Sequence, residues 1–151
     1  MRNANFIIGL TLVLSAQVFG QDGVLFPKGE KAPNAHHTGT VWLSELSEAD
    51  TNFNYNVTYA TFEPGAKLNW HTHPGGQILM ITEGAGYYQE RGKPVKILHK
   101  GDVVKCLPNV EHWHASTPKS SFSYIATTTN HPKGRTLWLD AVTEKEYLNL
   151  E

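Results

Sequence analysis

Hydrophobic and polar residues alternate along most of the chain after residue 50, a pattern that predicts β-strands with one buried face. Residues 54–62 show it most clearly, with Tyr55, Val57, Tyr59 and Thr61 on one face. Turns that contain glycine or proline separate the strands that follow. We predict strands at 54–62, 67–73, 77–82, 87–90, 95–98, 103–107, 111–115 and 121–128. Many short strands at close spacing are typical of a β-sandwich or β-barrel, so the predicted class is all-β.

The C-terminus is the one segment whose pattern favours a helix. Thr143 and Glu146 have the spacing of a capping box, with Thr143 as the N-cap residue. Tyr147, Leu148 and Leu150 would give this helix an apolar side. We therefore expect a short C-terminal helix to pack against the strands.

The N-terminal residues resemble a secretory signal peptide. Arg2 precedes an apolar run over residues 6–13 that continues to Phe19, and Gly20 offers a cleavage site. The run is short and polar residues interrupt it, so a membrane span is disfavoured, although an uncleaved anchor stays open. We expect a secreted or periplasmic protein with no membrane association after cleavage. The predicted organisation is a signal peptide (1–20), an extended N-terminal arm (21–37) and one domain (38–151).

Composition narrows the possible partners and ligands. The formal charge of −1 gives no electrostatic reason to expect nucleic acid or an anionic membrane as a partner. Cys106 is the only cysteine, which excludes an intramolecular disulfide and a thiolate-rich metal site. We expect Cys106 to be a small buried core residue. Any metal must be held by imidazole, amide or carboxylate groups.

The candidate chemistry lies in two histidine clusters among eight histidines. His71 and His73 are two residues apart on a predicted strand, so both side chains point to one face and can bind one metal ion. The Pro-Gly-Gly turn after His73 folds the chain back and lets Gln77 approach the same point. His112 and His114 are the candidates for a fourth ligand. The alternative is a set of surface histidines that never meet, which is how we interpret His36, His37, His99 and His131.

Alternation also predicts which neighbours of these residues avoid the metal. Trp70 and Trp113 are each adjacent to a histidine, so they should face away from the metal into packing. Thr58 and Ala60 lie on an earlier strand and could line the mouth of the site.

The spacing of these residues resembles the cupin superfamily. Gly65-x5-His71-x-His73-x3-Gln77-x6-Gly84 resembles the first cupin motif, and Gly101, Pro108 and His112 resemble the second. The resemblance spans roughly residues 38–130 and implies a small jelly-roll barrel with a metal ion inside its mouth. It places His112 at the ligand position of the second motif. Two positions depart from the usual pattern, since Gln77 replaces a glutamate and Ser116 replaces an asparagine.

Small single-domain cupins are more closely similar, among them the manganese-dependent hydroxynitrile lyases and the carboxymuconolactone decarboxylase-associated cupins. The segments 71–77, 111–114 and 138–147 carry this resemblance. In the lyases a histidine on the last barrel strand is a proposed base, and the corresponding position here is Tyr124. The resemblance also implies a homodimer and favours manganese or iron as the single divalent ion, with zinc, nickel and cobalt compatible.

Neutral ligands leave the metal its full charge and favour Lewis-acid chemistry over oxygen activation. We expect a lyase, isomerase or decarboxylase-like reaction on a small oxygenated substrate. His114 is a candidate general acid or base and Tyr124 a candidate proton donor, although either side chain could be purely structural. Two alternatives stay open: a quercetinase-like dioxygenase using iron, nickel or manganese, and a non-enzymatic module that binds a small ligand or a metal.

Overall fold

The computed structural model describes residues 25–148 of the chain. The predicted signal peptide and Leu150 lie outside the described residues. Within the described part, strands dominate and the helix content is limited to α1 (Glu144–Leu148), so the fold is all-β with a short C-terminal helix. No helix in residues 25–148 has the length and apolar character that crossing a membrane requires.

Antiparallel strands form a curled sheet with two halves that share one long strand. In the first half, the strands follow the order β1 (Glu30–Lys31), β3 (Val41–Ser47), β4 (Tyr55–Phe62), β11 (Phe122–Thr129), β7 (Gln77–Glu90) and β9 (Val103–Cys106). The second half contains β8 (Lys96–His99), the end of β7, β10 (His112–Ser116), β5 (Lys67–Leu68) and β2 (His37–Thr38). The short strands β6 (His71–Thr72) and β12 (Leu137–Trp138) extend it from β10.

Strand β7 corrects the prediction of two separate strands at 77–82 and 87–90. Its first residues pair with β11 and β9, and its last residues pair with β8 and β10. Gly84, at the change of partners, has a φ of 72°, and a Cβ there would lie 1.8 Å from the Ser121 carbonyl oxygen. The glycines that suggested a turn therefore bend one continuous strand from one half of the sheet to the other.

The predicted strand 67–73 is instead two short strands, β5 and β6. Between them, the amide of Asn69 donates to the His36 carbonyl and the amide of Trp70 donates to the Asp140 carbonyl. These two backbone groups are therefore used by segments distant in sequence, which interrupts the regular pairing.

Strands β1, β2, β3 and β12 were not predicted. In β3, Val41 is buried, whereas Leu43 and Glu45 on the same face are exposed towards a cavity. Its inward face is consequently not uniformly apolar, and the two-residue periodicity is weak.

The main core fills the space between the two halves of the sheet. It contains the buried residues Val41, Ala60, Phe62, Ala66, Leu79, Ile81, Tyr88, Leu98, Val104, Cys106, Phe122, Tyr124 and Ala126. Cys106 is buried and free, as expected. His36 and His99 are exposed as expected, but His37 and His131 are half-buried rather than surface residues.

The predicted capping box is confirmed at α1. The Glu146 amide donates to Thr143 Oγ1 at 3.1 Å, and the Thr143 amide donates to Glu146 Oε2 at 2.8 Å. Tyr147 is buried and its hydroxyl donates to the Ser116 carbonyl at 2.9 Å. Leu148 is exposed, so its predicted part in the apolar side of the helix is wrong.

Candidate metal centre

His71 is the first residue of β6, and His73 lies in the turn that follows this strand. Both side chains are buried, and their ring centroids are 5.1 Å apart. The turn is closed by the Gly76 amide, which donates to the His73 carbonyl at 3.0 Å. Gly75 is required there because a Cβ would lie 1.7 Å from Thr129 Oγ1. The turn therefore sends the chain directly from the histidine pair into β7.

Strand β10 brings His112 to the same place. His112 pairs in register with His71, and their ring centroids are 4.3 Å apart. One ring nitrogen from each of His71, His73 and His112 lies within 4.8 Å of the others. Residues separated by some 40 positions in sequence thus form a compact three-histidine cluster.

The second nitrogen of each ring shows which atom is available to a metal. The Nδ1 atoms of His71, His73 and His112 lie 2.8, 2.8 and 2.9 Å from the carbonyl oxygens of Asn69, Arg135 and Val110. Because a carbonyl oxygen only accepts hydrogen bonds, Nδ1 must be the protonated nitrogen in each ring. Each Nε2 therefore keeps its lone pair, which is the usual arrangement of histidines that bind metals.

Burial strengthens this interpretation. The Nε2 atoms of His73, His112 and His114 are buried and have no hydrogen-bond partner within residues 25–148. Burial lowers the pKa of His71 well below its usual value, lowers that of His73, and lowers that of His112 to about 4. All three rings are consequently neutral near pH 7 and able to donate an electron pair to a cation.

Gln77, the first residue of β7, lies beside the cluster. Its side-chain nitrogen donates to Thr128 Oγ1 at 3.0 Å, which leaves Oε1 as the amide atom that can act as a ligand. Oε1 also accepts a weak hydrogen bond from Cys106 Sγ at 4.0 Å. Gln77 lines the same cavity as His71 and His73. The predicted amide is therefore adjacent to the histidines.

His114 occupies a different position from the three clustered histidines. Its ring centroid is 5.2 Å from that of His71, and its Nδ1 lies 3.2 Å from the Tyr124 hydroxyl. Burial lowers the pKa of His114 well below its usual value and raises that of Tyr124. The two predicted catalytic residues thus form a neutral hydrogen-bonded pair next to the cluster.

A cavity of about 680 Å³ reaches this site from the surface. His71, His73, Gln77, His114 and Tyr124 all line it, as do Thr58 and Ala60, which we expected near the mouth. His112 is fully buried and lies behind the other two histidines, outside the lining of this cavity. A small molecule can therefore reach the cluster from one side.

Several lining residues were missed by sequence reasoning. Residues 135–138 supply the Arg135 carbonyl, which accepts from His73, and the ring of Trp138, whose centroid is 5.0 Å from that of His71. At the mouth, Arg135 pairs with Glu45 at 3.5 Å. No local pattern marks these residues, although the segment 138–147 was already part of the family resemblance.

The donor set suits a divalent ion. Three neutral imidazole nitrogens and one amide oxygen are ligands that manganese, iron, cobalt, nickel and zinc accept, and the set contains no thiolate. The unpartnered Nε2 atoms of His73 and His112 would gain a partner if an ion lay between them. The residues present therefore fit a metal ion, and their arrangement alone does not select which one.

Comparison with known proteins identifies the family. The cupin domain model matches residues 58–128. The (R)-mandelonitrile lyase of Granulicella tundricola is 37% identical over 117 residues, covering 78% of this chain and 89% of the lyase. The chain belongs to the cupin family, and it is a small cupin with hydroxynitrile lyase-like relatives.

Two further proteins are similar to this chain. The crystal structure of a cupin-like protein from Thermotoga maritima matches with a TM-score of 0.80 and 47% identity, covering 85% of this chain and 97% of that one. The (S)-ureidoglycine aminohydrolase of Arabidopsis thaliana is 29% identical over 100 residues, covering 64% of this chain but only 33% of the aminohydrolase. Relatives of this chain thus include a lyase and an aminohydrolase.

Proposed function

We propose that this protein is a metal-dependent cupin enzyme that performs lyase-type chemistry on a small oxygenated substrate. His71, His73 and His112 would hold one divalent ion through Nε2, and Gln77 would hold it through Oε1. The observation that carries the proposal is the set of three Nδ1–carbonyl hydrogen bonds, which leave a lone pair on Nε2 of each of three buried imidazoles. One ring nitrogen from each imidazole lies within 4.8 Å of the others. By family resemblance, we propose manganese or iron as the ion.

A bound divalent ion would supply Lewis-acid polarisation of a substrate carbonyl or hydroxyl oxygen. The protein would keep the site neutral and limit the access of bulk water to it. His71, His73 and His112 are each at most 2% exposed, so the substrate oxygen would be surrounded by fixed groups rather than solvent.

His114 and Tyr124 would accept a proton from the substrate and donate it back. The neutral His114 ring can accept a proton at Nε2, while its Nδ1–H donates to the Tyr124 oxygen. In the other arrangement, the Tyr124 hydroxyl donates to Nδ1, and the buried Nε2–H is available as a donor. The pair can therefore take a proton from a substrate hydroxyl and return it to a leaving group.

The relatives and the ligand charge both favour non-redox chemistry. The lyase relative acts on mandelonitrile, as its name states, so breaking or forming a bond at a hydroxyl-bearing carbon is our first choice of reaction. The neutral amide of Gln77 would stabilise an oxidised metal less than a carboxylate would, which disfavours oxygen activation.

The decisive experiment is elemental analysis of the purified full chain, followed by assay of the metal-loaded protein. We expect about one divalent ion per chain, and release of aldehyde from mandelonitrile or another small cyanohydrin. Gln77→Glu serves as the matched variant, since it changes the ligand charge while keeping its length. If the unmodified protein consumes oxygen in proportion to substrate, the lyase proposal is wrong.

A further inference from the structure

A second cavity adjoins the one that reaches the histidine cluster. It has a volume of about 280 Å³, and its walls are almost entirely apolar. Leu43, Leu68, Tyr124 and Trp138 line both cavities, so the two are neighbours with common walls. Val41, Phe62 and Ala35 line only the smaller one, which we call the side chamber.

Residues 32–37, which we call the strap, form one wall of the side chamber. The strap is tied to the first half of the sheet by the Ala32 amide, which donates to the Val41 carbonyl at 2.9 Å. At its other end the His36 carbonyl accepts from Asn69 at 2.9 Å, and His37 pairs with Leu68 in the second half. The strap therefore crosses from one half of the sheet to the other beside the histidine site.

Trp138 connects the strap to the candidate metal ligands. Its ring stacks on His36 of the strap, with centroids 4.6 Å apart and an interplanar angle of 11°. The Trp138 ring centroid also lies 5.0 Å from that of His71. A ligand held at the histidine cluster would thus have Trp138 and the side chamber directly beside it.

We propose that the side chamber binds an aryl substituent of the substrate while the oxygen-bearing end of the substrate lies at the histidine cluster. This inference rests on the proposed function, because the metal centre is what anchors the oxygen-bearing end. Size supports an aryl group, since an apolar cavity of about 150 Å³ already binds benzene. A chamber of about 280 Å³ accepts a phenyl ring with a small substituent.

The chemistry of the walls disfavours a small polar substrate. A compact diacid or amide at the metal would leave the apolar chamber unused, whereas an aryl group would bury its surface against Leu68, Phe62 and Trp138. The wall offers few polar atoms, and among the described residues the buried one that lacks a hydrogen-bond partner there is His37 Nε2. The side chamber therefore selects for apolar substituents.

Two hydroxamates test the inference, because they share a metal-binding head and differ only in the substituent. We would titrate the zinc-loaded full chain with acetohydroxamate and benzohydroxamate and measure both dissociation constants by calorimetry. Burial of the phenyl ring should make benzohydroxamate bind at least about tenfold more tightly. Ala35→Phe fills the side chamber and should reduce this ratio to about one, while acetohydroxamate affinity stays unchanged.

Ala141→Phe is the matched control. Ala141 is exposed and lines neither cavity, so the same substitution there should preserve the tenfold ratio. Thermal unfolding of both variants confirms that they are folded before the titrations are compared. An unchanged ratio in folded Ala35→Phe would overturn the inference.

Alanine methyl NMR locates the ring independently of any variant. Ala35 lines only the side chamber, whereas Ala60 and Ala126 line only the larger cavity. Benzohydroxamate should shift the Ala35 methyl resonance by its ring current, and acetohydroxamate should not. Ring-current shifts confined to Ala60 and Ala126 would place the ring in the larger cavity and contradict the inference.

The two proposals fail in different ways. If neither hydroxamate binds, or if binding is the same without zinc, the metal centre itself is wrong. If both bind in a zinc-dependent manner with equal affinity, the metal centre stands and the side chamber is not a substrate site.

Discussion

The two faces of β10 differ in a way that separates a site from a core. His112 and His114 point to one face, and Trp113 and Ala115 point to the other, yet all four are at most 1% exposed. On the tryptophan face, Trp113 Nε1 donates to Gln89 at 2.8 Å, and Trp70 Nε1 donates to Glu146 at 3.2 Å. On the histidine face, the Nε2 atoms of both histidines have no partner within the described residues.

Burial alone therefore does not mark the functional side of this strand. Buried polar atoms are normally hydrogen-bonded, so unpartnered ones mark a place where a further group can bind. The tryptophan face, with Trp70, Tyr87, Val142 and Tyr147, is satisfied and acts as a core. The histidine face keeps unpartnered ring nitrogens, which is consistent with the proposed metal centre. The predictions below test this contrast, beginning with the largest effect.

Replacing a clustered histidine should abolish metal binding without unfolding the protein. We expect His73→Ala to lower the affinity for a divalent ion more than about 100-fold, because even residues that only support metal ligands are worth 10–100-fold. Metal content after dialysis, measured by elemental analysis, is the readout. His99→Ala is the control, since His99 is exposed, and retained stoichiometric metal in His73→Ala would refute the site.

Replacing a buried residue of the tryptophan face should lower stability and leave metal binding intact. Trp113→Ala removes a fully buried ring and should lower the free energy of unfolding by about 3–5 kcal/mol. Urea denaturation measures this loss, and the folded fraction should still bind metal. Leu107→Ala, at a position 58% exposed, should change stability little. Equal effects of the two substitutions would show that the ring does not contribute as a core residue.

Acid should destabilise the metal-free protein through the histidine face. The pKa of His112 falls from about 6.5 in the unfolded chain to about 4 in the folded protein, so the unfolded state binds the extra proton first. The contribution of His112 to the free energy of unfolding is fully present above pH 6.5. It is lost as the pH falls towards 4, and the loss is about 3 kcal/mol from His112 alone.

Urea denaturation at several pH values, after treatment with a chelator, tests this expectation. His112→Gln should show a smaller decrease between pH 6.5 and 4 than the unmodified protein. A decrease of the same size in both proteins would mean that His112 does not carry the effect.

The smallest effect concerns the helix that covers the tryptophan face. Thr143→Ala removes the oxygen that accepts from the Glu146 amide and should cost about 1 kcal/mol in unfolding free energy. Metal binding should not change, because α1 packs on the opposite face from the histidines. Lys145→Ala at an exposed position of the same helix is the control. A change in metal affinity in Thr143→Ala would indicate that the two faces are coupled.

Local periodicity determined much of this picture from the sequence alone. The spacing of His71 and His73, and of His112 and Trp113, assigned each side chain to a face, because successive residues of a strand point to opposite sides. The Pro-Gly-Gly turn placed Gln77 near the pair, and the capping box located the start of α1. These predictions depend only on neighbours within a few residues, which is why the sequence could make them.

Tertiary structure decided what depends on distant partners. Only the pairing of β10 with β6 brings His112 opposite His71. In the sequence, His112 was favoured over His114 by the spacing of the cupin motif and not by a physical argument. Only the folded chain shows that backbone carbonyls of Asn69, Arg135 and Val110 fix the proton on each Nδ1. The local sequence pattern likewise does not predict the positions of the strap and Trp138. Their short strands form through backbone hydrogen bonds to residues far along the chain.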